Sequence, residues 1–467
     1  MEHHSTRGTA TAGLEQLRAV LGEKLILPTD DSFTAAHLGW NLAVQRQPTA
    51  IIFAESSQDV VAAVSYACQH RLPVAAIGTG HRDSGRAEGA VLINTSRMKT
   101  VVVNPQEQTA WVSAGAKWGD VLREAQKSGL APLLGSSSDV GAVGYTLGGG
   151  MGWLVRKYSV SADSVLQFEI VTPDGVLRRA SAEENSDLLW ALRGGGGSFG
   201  VVTGMEIRLY PVTHVYAGNL YYPPELAPEI FRRFDQWMEN APDELTAAIV
   251  LMNFPPLPEL PPMLSGKSFV IVRGCYNGPA EKGEALLATW RSWQPPLIDD
   301  FTTIPFTESD RISQDPVDPL PIIISGEWLG DLSDATADAL ARYTFPQGGP
   351  PLFAFTEVRA AGGAIARMDP NLNAYSHREE KYIWVTIAVS MNEEMAQQIQ
   401  AHLAAMRQAL GPALTGKVYV NFLDGEEMER RAQDAFRPET YRRLQAIKAR
   451  VDPDCRMITG LNISPAA

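Results

Sequence analysis

Short apolar runs alternate with helical amphipathic stretches through the first third of the chain. Residues 50–54 (AIIFA) have the length and character of a strand. From Ser57 the spacing turns helical, with Val60, Val61, Val64 and Cys68 on one stripe and Ser-Gln-Asp as the start signal. Residues 72–77 (LPVAAI) predict the next strand, which closes a small β-α-β unit and runs into a glycine loop. Further strands are predicted at 91–93, 101–103 and 110–113, and a helix over 118–128. A glycine-rich stretch over 129–152 precedes a strand at 165–172, a Pro-Asp-Gly turn and a short helix at 186–192. In VVTGMEIRLYPV, Met205, Ile207 and Leu209 alternate with Glu206 and Arg208, the signature of a half-buried strand.

After Pro211 the pattern changes. Strands predicted at 215–222, 247–252, 269–275, 353–359 and 382–390 lie among helices, without the regular crossovers of a parallel sheet. One helix aligns Ile230, Phe231, Phe234, Trp237 and Met238, and another spans 393–410. Together they predict an antiparallel sheet with helices on one side, and an α+β fold overall. PPLPELPPM (255–263) reads as the stiff, exposed tip of a long hairpin. From Tyr419 the character changes again, to YVNFLDGEE, a helix over 438–450 and VDPDCRMITGLNISP, a short end that returns to the earlier domain.

Composition narrows the function. The chain of 467 residues is 45% hydrophobic and 20% charged, an ordinary globular balance that supports a large core. A net charge of −13 argues against a nucleic-acid partner. No apolar run reaches the ~18 residues of a membrane span, and the start lacks a leader's apolar core, so no membrane role and a cytoplasmic location are expected. The cysteines Cys68, Cys275 and Cys455 form no C-x-x-C, and Cys68 on its stripe reads as a buried thiol. HExxH is absent and the eight histidines show no ligand spacing, so no metal is expected. A Walker lysine pattern is missing too, and GSSSD at Gly135 fails the nucleophile elbow because Asp139 takes the last glycine position.

What remains is glycine. GTGHRDSG (78–85), GAVGYTLGGGMG (141–152) and GGGGSFG (194–200) each adjoin a predicted strand or helix end. Glycine lets backbone N–H groups approach a ligand closely, and successive N–H groups make concavities suited to a pyrophosphate. Gly195, Gly197 and Gly200 match G-x-G-x-x-G, but a helix precedes them and a strand follows, the reverse of a Rossmann turn. His81 ends the first loop; alone, such a residue reads as a surface or hydrogen-bonding histidine.

Taken in order, strand-GTGH, VGAVGYTLGGGMGWLVRKYSVSAD (140–163), LLWALRGGGGSFGVVT (188–203), YVNFLD (419–424) and the terminal VDPDCRMITGLNISP (451–465) resemble the berberine bridge enzyme-like FAD-linked oxidases of the vanillyl-alcohol oxidase superfamily. WNLAVQRQPTAIIFAESSQDVVAAVSYA (40–67) and AYSHREEKY (374–382) fit the same resemblance. It implies a PCMH-type FAD-binding domain over 1–210, a substrate-binding domain with an antiparallel sheet over 211–417, and a C-terminal segment over 418–467 returning to the FAD domain. It also implies that His81 carries the flavin 8α-methyl covalently. Ser137 stands where many members have a second, cysteinyl link, so a single covalent bond is expected. Ile77 stands where members often have arginine. The implied FAD contacts in the first loop are Gly78, Thr79, Gly80, Arg82, Asp83 and Gly85. In the second they are Gly135, Ser137, Val140, Gly141, Gly144, Tyr145, Gly148, Gly149 and Gly152. Gly200, Val202, Asn421 and Asn462 complete the set.

The reaction so implied takes hydride from a C–H of an alcohol, sugar, amine or natural-product ring to the flavin, while a base takes the companion proton and oxygen reoxidises the flavin. Tyr419 is the candidate base, with Tyr382, His377 and Arg378 on the substrate side. A tyrosine with a pKa near ~10 needs a cationic or hydrogen-bonding neighbour for that role. Phe422 replaces the second tyrosine of some relatives. A flavin dehydrogenase using another acceptor and a non-catalytic flavin-binding protein stay open as alternatives, with a nicotinamide-dependent Rossmann enzyme a poor third. Substrate and oligomeric state are not encoded in any motif.

Overall fold

The short apolar runs of the first hundred residues become a small, largely parallel sheet. In the computed structural model, which describes residues 14–82, 85–345 and 348–466, β1 (Leu25–Ile26), β2 (Ala50–Phe53), β3 (Val74–Ile77) and β4 (Val91–Asn94) lie in the order β1-β2-β4-β3. Both β2 and β3 pair parallel with β4, so the expected β-α-β unit holds β4 between its two strands. The connecting helix α1 (Ser57–Gln69) opens on a capping box: Ser56 Oγ accepts from Asp59 N–H, and the Asp59 carboxylate accepts from Ser56 N–H. Val60 and Val64 are buried. Cys68, in the last turn, keeps part of its surface, so the buried thiol expected there is corrected to a half-buried one; Cys275 is the buried cysteine.

A second sheet runs β5 (Val101–Asn104), β6 (Thr109–Ser113), β9 (Val201–Arg208), β7 (Val165–Val171) and β8 (Leu177–Ala180), every pair antiparallel. Helices α2 (Trp118–Gln126), α3 (Ala142–Leu147) and α4 (Ser186–Leu192) share its core, where Trp118, Phe168, Leu192 and Met205 are buried. G-x-G-x-x-G links α4 to β9, so the connection is helix to strand as expected.

The third sheet is the largest and antiparallel. Its order is β13 (Ile298–Asp299), β10 (His214–Tyr222), β12 (Ser268–Tyr276), β11 (Leu245–Asn253), β16 (Phe355–Ala360), β17 (Tyr382–Val389) and β15 (Ile322–Leu329), and β14 (Thr302–Pro305) also pairs with β10. The edge strand β15 was not anticipated, because its IIISGEWL breaks alternation at Ser325-Gly326. Helices α5 (Ala227–Glu239), α6 (Ala280–Trp293), α7 (Asp334–Thr344) and α8 (Glu393–Leu410) bury Phe231, Phe234, Trp290, Leu340 and Met406 against one face. Side chains alternate across a strand, so Asn219, Arg273, Glu357 and Arg359 project from the other face. The proline-rich loop joins β11 to β12 with Leu257 and Met263 exposed.

Helix α9 (Pro438–Val451) leads the chain back to the first sheet. Val74 N–H donates to Arg456 O at 2.8 Å, and Ile458 N–H donates to Val74 O at 3.0 Å. The buried Lys448 Nζ fixes this return by donating to Ser198 O at 2.6 Å, Asp452 at 2.6 Å and Met457 O at 3.2 Å. Among the described residues no helix is long and apolar enough to cross a membrane.

Candidate active site

Strand β3 delivers the first glycine loop at its C-terminal end. There Thr79 O accepts from Trp40 N–H at 2.9 Å and Gly80 O from Asn41 N–H at 3.0 Å. Gly80 has φ +71°, and a Cβ on it would stand 2.6 Å from Gly39 Cα, so two backbones cross with no space for a side chain. Gly141 N–H donates to Thr79 Oγ1 at 3.2 Å, which ties the second loop to the first. Gly196 N–H donates to Leu147 O at 2.9 Å, which ties the third to the second. Arg82 donates to Val420 O, bringing in the C-terminal segment. The glycine loops therefore converge. Gly85 lies further along against Val44, and Asp83 falls outside the described residues.

His81 sits at this convergence. Its ring stacks on Trp40 with centroids 4.5 Å apart and planes 18° from parallel. Its Nε2 is buried without a hydrogen-bond partner and lies 3.6 Å from Asp139 Oδ2. Lys117 Nζ holds the other Asp139 oxygen at 2.5 Å. Burial pulls the imidazole below its ordinary pKa, against the pull of the Asp139 charge, so the ring is neutral at neutral pH. Ser137 is buried and its Oγ accepts from Asp139 N–H at 3.2 Å; Val140 is half-buried beside it. Ile77 is buried and packs against Gly39 and Gly80.

The triple glycine is pressed closely by protein groups. A Cβ on Gly148 would stand 1.9 Å from Asn421 Oδ1, on Gly149 2.5 Å from Tyr375 Cδ2, and on Gly150 2.5 Å from Tyr145 Cε1. The turn is glycine because an amide and two aromatic rings press on it. Gly135 (Tyr145 ring), Gly152 (Leu134 O) and Gly200 (Val171 O) are held in the same way. Protein packing thus accounts for Gly135, Gly148, Gly149, Gly152 and Gly200, and Val202 belongs to the core. Gly144 and Gly196 differ, since no atom comes within 4 Å of where their Cβ would be. Gly78, with Thr95 Oγ1 at 3.6 Å, is also unpressed.

The anticipated proton acceptors each have defined partners. Tyr419 Oη accepts from Gly150 N–H at 2.9 Å, Met151 N–H at 3.0 Å and Asn421 Nδ2 at 3.0 Å. Burial raises the Tyr419 pKa, while these donors favour the phenolate. Tyr382 lies on the helix face of the third sheet, where its hydroxyl donates to Asp235 at 2.5 Å. His377 Nε2 is 2.9 Å from Asp434 O, and Arg378 makes a buried pair with Asp163 at 2.8 Å. Each is bound to structural neighbours. Asn421 also donates to Tyr145 O at 2.9 Å, Asn462 is exposed, and Phe422 meets the Tyr419 ring edge-on at 5.0 Å.

Sequence reading missed a buried ionic group on the open face of the third sheet. Glu357 holds Arg359 at 2.7 Å and faces Arg273 at 3.7 Å, while Arg273 Nε donates to Asn219 Oδ1 at 2.8 Å. Arg359 donates to Met151 O at 2.8 Å, beside the triple-glycine turn. Asp315 completes the group and accepts from Ser136 Oγ at 2.6 Å, next to Ser137. Burial raises the Asp315 pKa, with the Ser136 hydrogen bond and then Arg273 opposing. Only the period-two placement of Glu357 and Arg359 on a strand could have hinted at this, since Asp315 lies in an unpatterned loop.

Two family models match the chain: an FAD binding domain over residues 48–181, and a berberine and berberine-like segment over 418–455. An FAD-linked oxidoreductase of Dictyostelium discoideum is 25% identical over 91% of this chain and 91% of its own length. The (R)-6-hydroxynicotine oxidase of Paenarthrobacter nicotinovorans is 27% identical over 96% of this chain and 97% of its own. The wild-type BBE-like 1 structure of Physcomitrella patens superposes with a TM-score of 0.84 at 22% identity, covering 97% of this chain and 99% of that one. The residues fit a flavin dinucleotide. The His81 imidazole stands at the loop convergence, stacked on Trp40, and Gly144 and Gly196 leave backbone in the second and third loops unobstructed.

Proposed function

Since the chain is an FAD-dependent oxidoreductase with the berberine bridge enzyme-like fold, we propose that it oxidises a small molecule at a C–H bond next to a hydroxyl or amine, using FAD attached through His81. The observation that carries this reading is His81 itself: buried at Nε2, stacked on Trp40 and set where the glycine loops meet. When bound, the flavin supplies two-electron redox chemistry as hydride acceptor.

The protein's own residues supply the rest. The loops around Gly78–Gly80, Gly141, Gly144 and Gly196 hold the dinucleotide by backbone N–H groups. His81 supplies the covalent link, and Ser137 cannot add a thioether. Residues 1–210 and 418–467 act as the FAD domain and 211–417 as the substrate domain. Asp315 is the proton acceptor: its raised pKa makes it a stronger base than an ordinary carboxylate, and Ser136 fixes it beside the flavin loop. Arg273, Glu357 and Arg359 set the field around it. Dioxygen takes the electrons and leaves as peroxide, in the cytoplasm.

The test is acid precipitation of purified protein. The pellet is expected to stay yellow, with the flavin mass on the peptide containing His81. Flavin released wholly into the supernatant refutes covalent attachment, and protein that fails to bind added FAD refutes the function.

A further inference from the structure

The two carboxylate oxygens of Asp139 are directed at different groups. Oδ1 is held by Lys117 Nζ at 2.5 Å, and Oδ2 is the oxygen nearest His81, 3.6 Å from Nε2. Its backbone N–H is pinned by Ser137 Oγ at 3.2 Å, and the imidazole is pinned in its plane by Trp40. Asp139 and Lys117 are the charged groups whose fields act on this histidine. The arrangement matches the orienting pair of a nucleophilic histidine: a fixed carboxylate selects one tautomer and stabilises the charge that forms on the ring.

We propose that Asp139 is the positioning residue for flavin attachment, holding the proton on His81 Nε2 so that the ring's other nitrogen forms the bond. This deepens, and rests on, the reading of His81 as the attachment residue. In the step, a nitrogen–carbon bond forms between the imidazole and the flavin's 8α carbon while one C–H bond of that methyl group breaks. The imidazole sheds its Nε2 proton toward Asp139, which relieves the ring's positive charge. The two electrons of the broken C–H bond reduce the flavin, and the two released protons balance them. Dioxygen then reoxidises the product and leaves as hydrogen peroxide. Lys117 Nζ, 2.5 Å from the other carboxylate oxygen, keeps Asp139 in place throughout.

The experiment uses the full chain, produced under riboflavin limitation and mixed with FAD in air. Quenching of flavin fluorescence reports binding, and timed acid precipitation with peptide mass reports attachment. D139N is expected to bind FAD with wild-type affinity but to attach it about 100-fold more slowly, in the range of a lost proton-transfer partner. D139E, which restores a carboxylate, is expected to recover most of the rate. Attachment at the wild-type rate in D139N overturns the proposal. So does a D139N protein that no longer binds FAD, because Asp139 would then be shaping the loop rather than serving the bond. A wild-type pellet without flavin overturns the reading of His81 and this inference with it, an outcome visible before any variant is made.

Discussion

Tyr419→Phe removes one oxygen and tests what that oxygen is for. In the folded chain it accepts N–H groups from Gly150, Met151 and Asn421. The site is buried, so the phenylalanine would leave these donors without an acceptor and without room for water. A stranded buried donor costs about 1–3 kcal/mol. Asn421 retains its bond to Tyr145 O, which places its share at the low end, and the total comes to about 3 kcal/mol. For a chain larger than 250 residues, at about 2 °C per kcal/mol, melting should fall by about 6 °C. Turnover should change by less than tenfold, because the proposed function gives proton transfer to Asp315. The assay pairs differential scanning fluorimetry with steady-state oxidation of any accepted substrate. A variant with unchanged melting and turnover lower by about 10²–10⁴, the range for a lost general base, would refute the assignment of Tyr419 as an anchor and restore it as the base.

Asp315→Asn should do the reverse, cutting kcat by about 10²–10⁴ with little change in melting; unchanged kcat removes Asp315 from the chemistry. Gly149→Ala sets a Cβ 2.5 Å from Tyr375 at φ +113° and should destabilise by about 3 kcal/mol, whereas Gly144→Ala should melt like wild type and weaken FAD binding, read by fluorescence titration. Lys448→Met leaves the Asp452 carboxylate buried without its cation and should cost about 3–5 kcal/mol, seen as earlier proteolytic release of the C-terminal tail. Burial lowers the His377 pKa below its ordinary 6.5, with Asp434 O, Lys417, Glu379 and Glu380 as the facing groups. The unfolded chain therefore takes up that proton first, and the stability present above 6.5 is lost as pH falls through the folded value. His377→Asn should flatten that slope in urea midpoints measured between about pH 7.5 and 5, and an unaltered slope would show that the imidazole is not held neutral.

Periodicity carried most of the fold. The stripe of Ile230, Phe231, Phe234 and Met238 became a helix face packed on the third sheet, and the alternation through Met205 and Ile207 became β9. It failed at β15, where Ser325-Gly326-Glu327 interrupts the apolar run for a reason only the folded chain reveals: Glu327 is held by Arg407 at 2.6 Å and Arg431 at 2.8 Å, both from far along the sequence. The site divides along a similar line. Loop convergence was legible because each loop adjoins a predicted strand or helix end, and those ends meet. What a given glycine makes room for was not legible. A missing Cβ signals close approach, but the approaching group can be a cofactor, as proposed for Gly144, or Tyr375, as at Gly149. The same ambiguity touches Tyr419: a tyrosine beside a glycine turn reads as a base facing a ligand, and the turn's own N–H groups also lie on its oxygen. Asp315 and Asp139 were invisible for the opposite reason. Neither lies on a periodic face, and each acquires its chemistry from one partner, Ser136 from 179 positions away for Asp315 and His81 across the loop junction for Asp139. Groups positioned only by tertiary contacts leave no local pattern, so in this chain the convergence of the glycine loops could be anticipated from sequence while the placement of Asp315 and Asp139 could not.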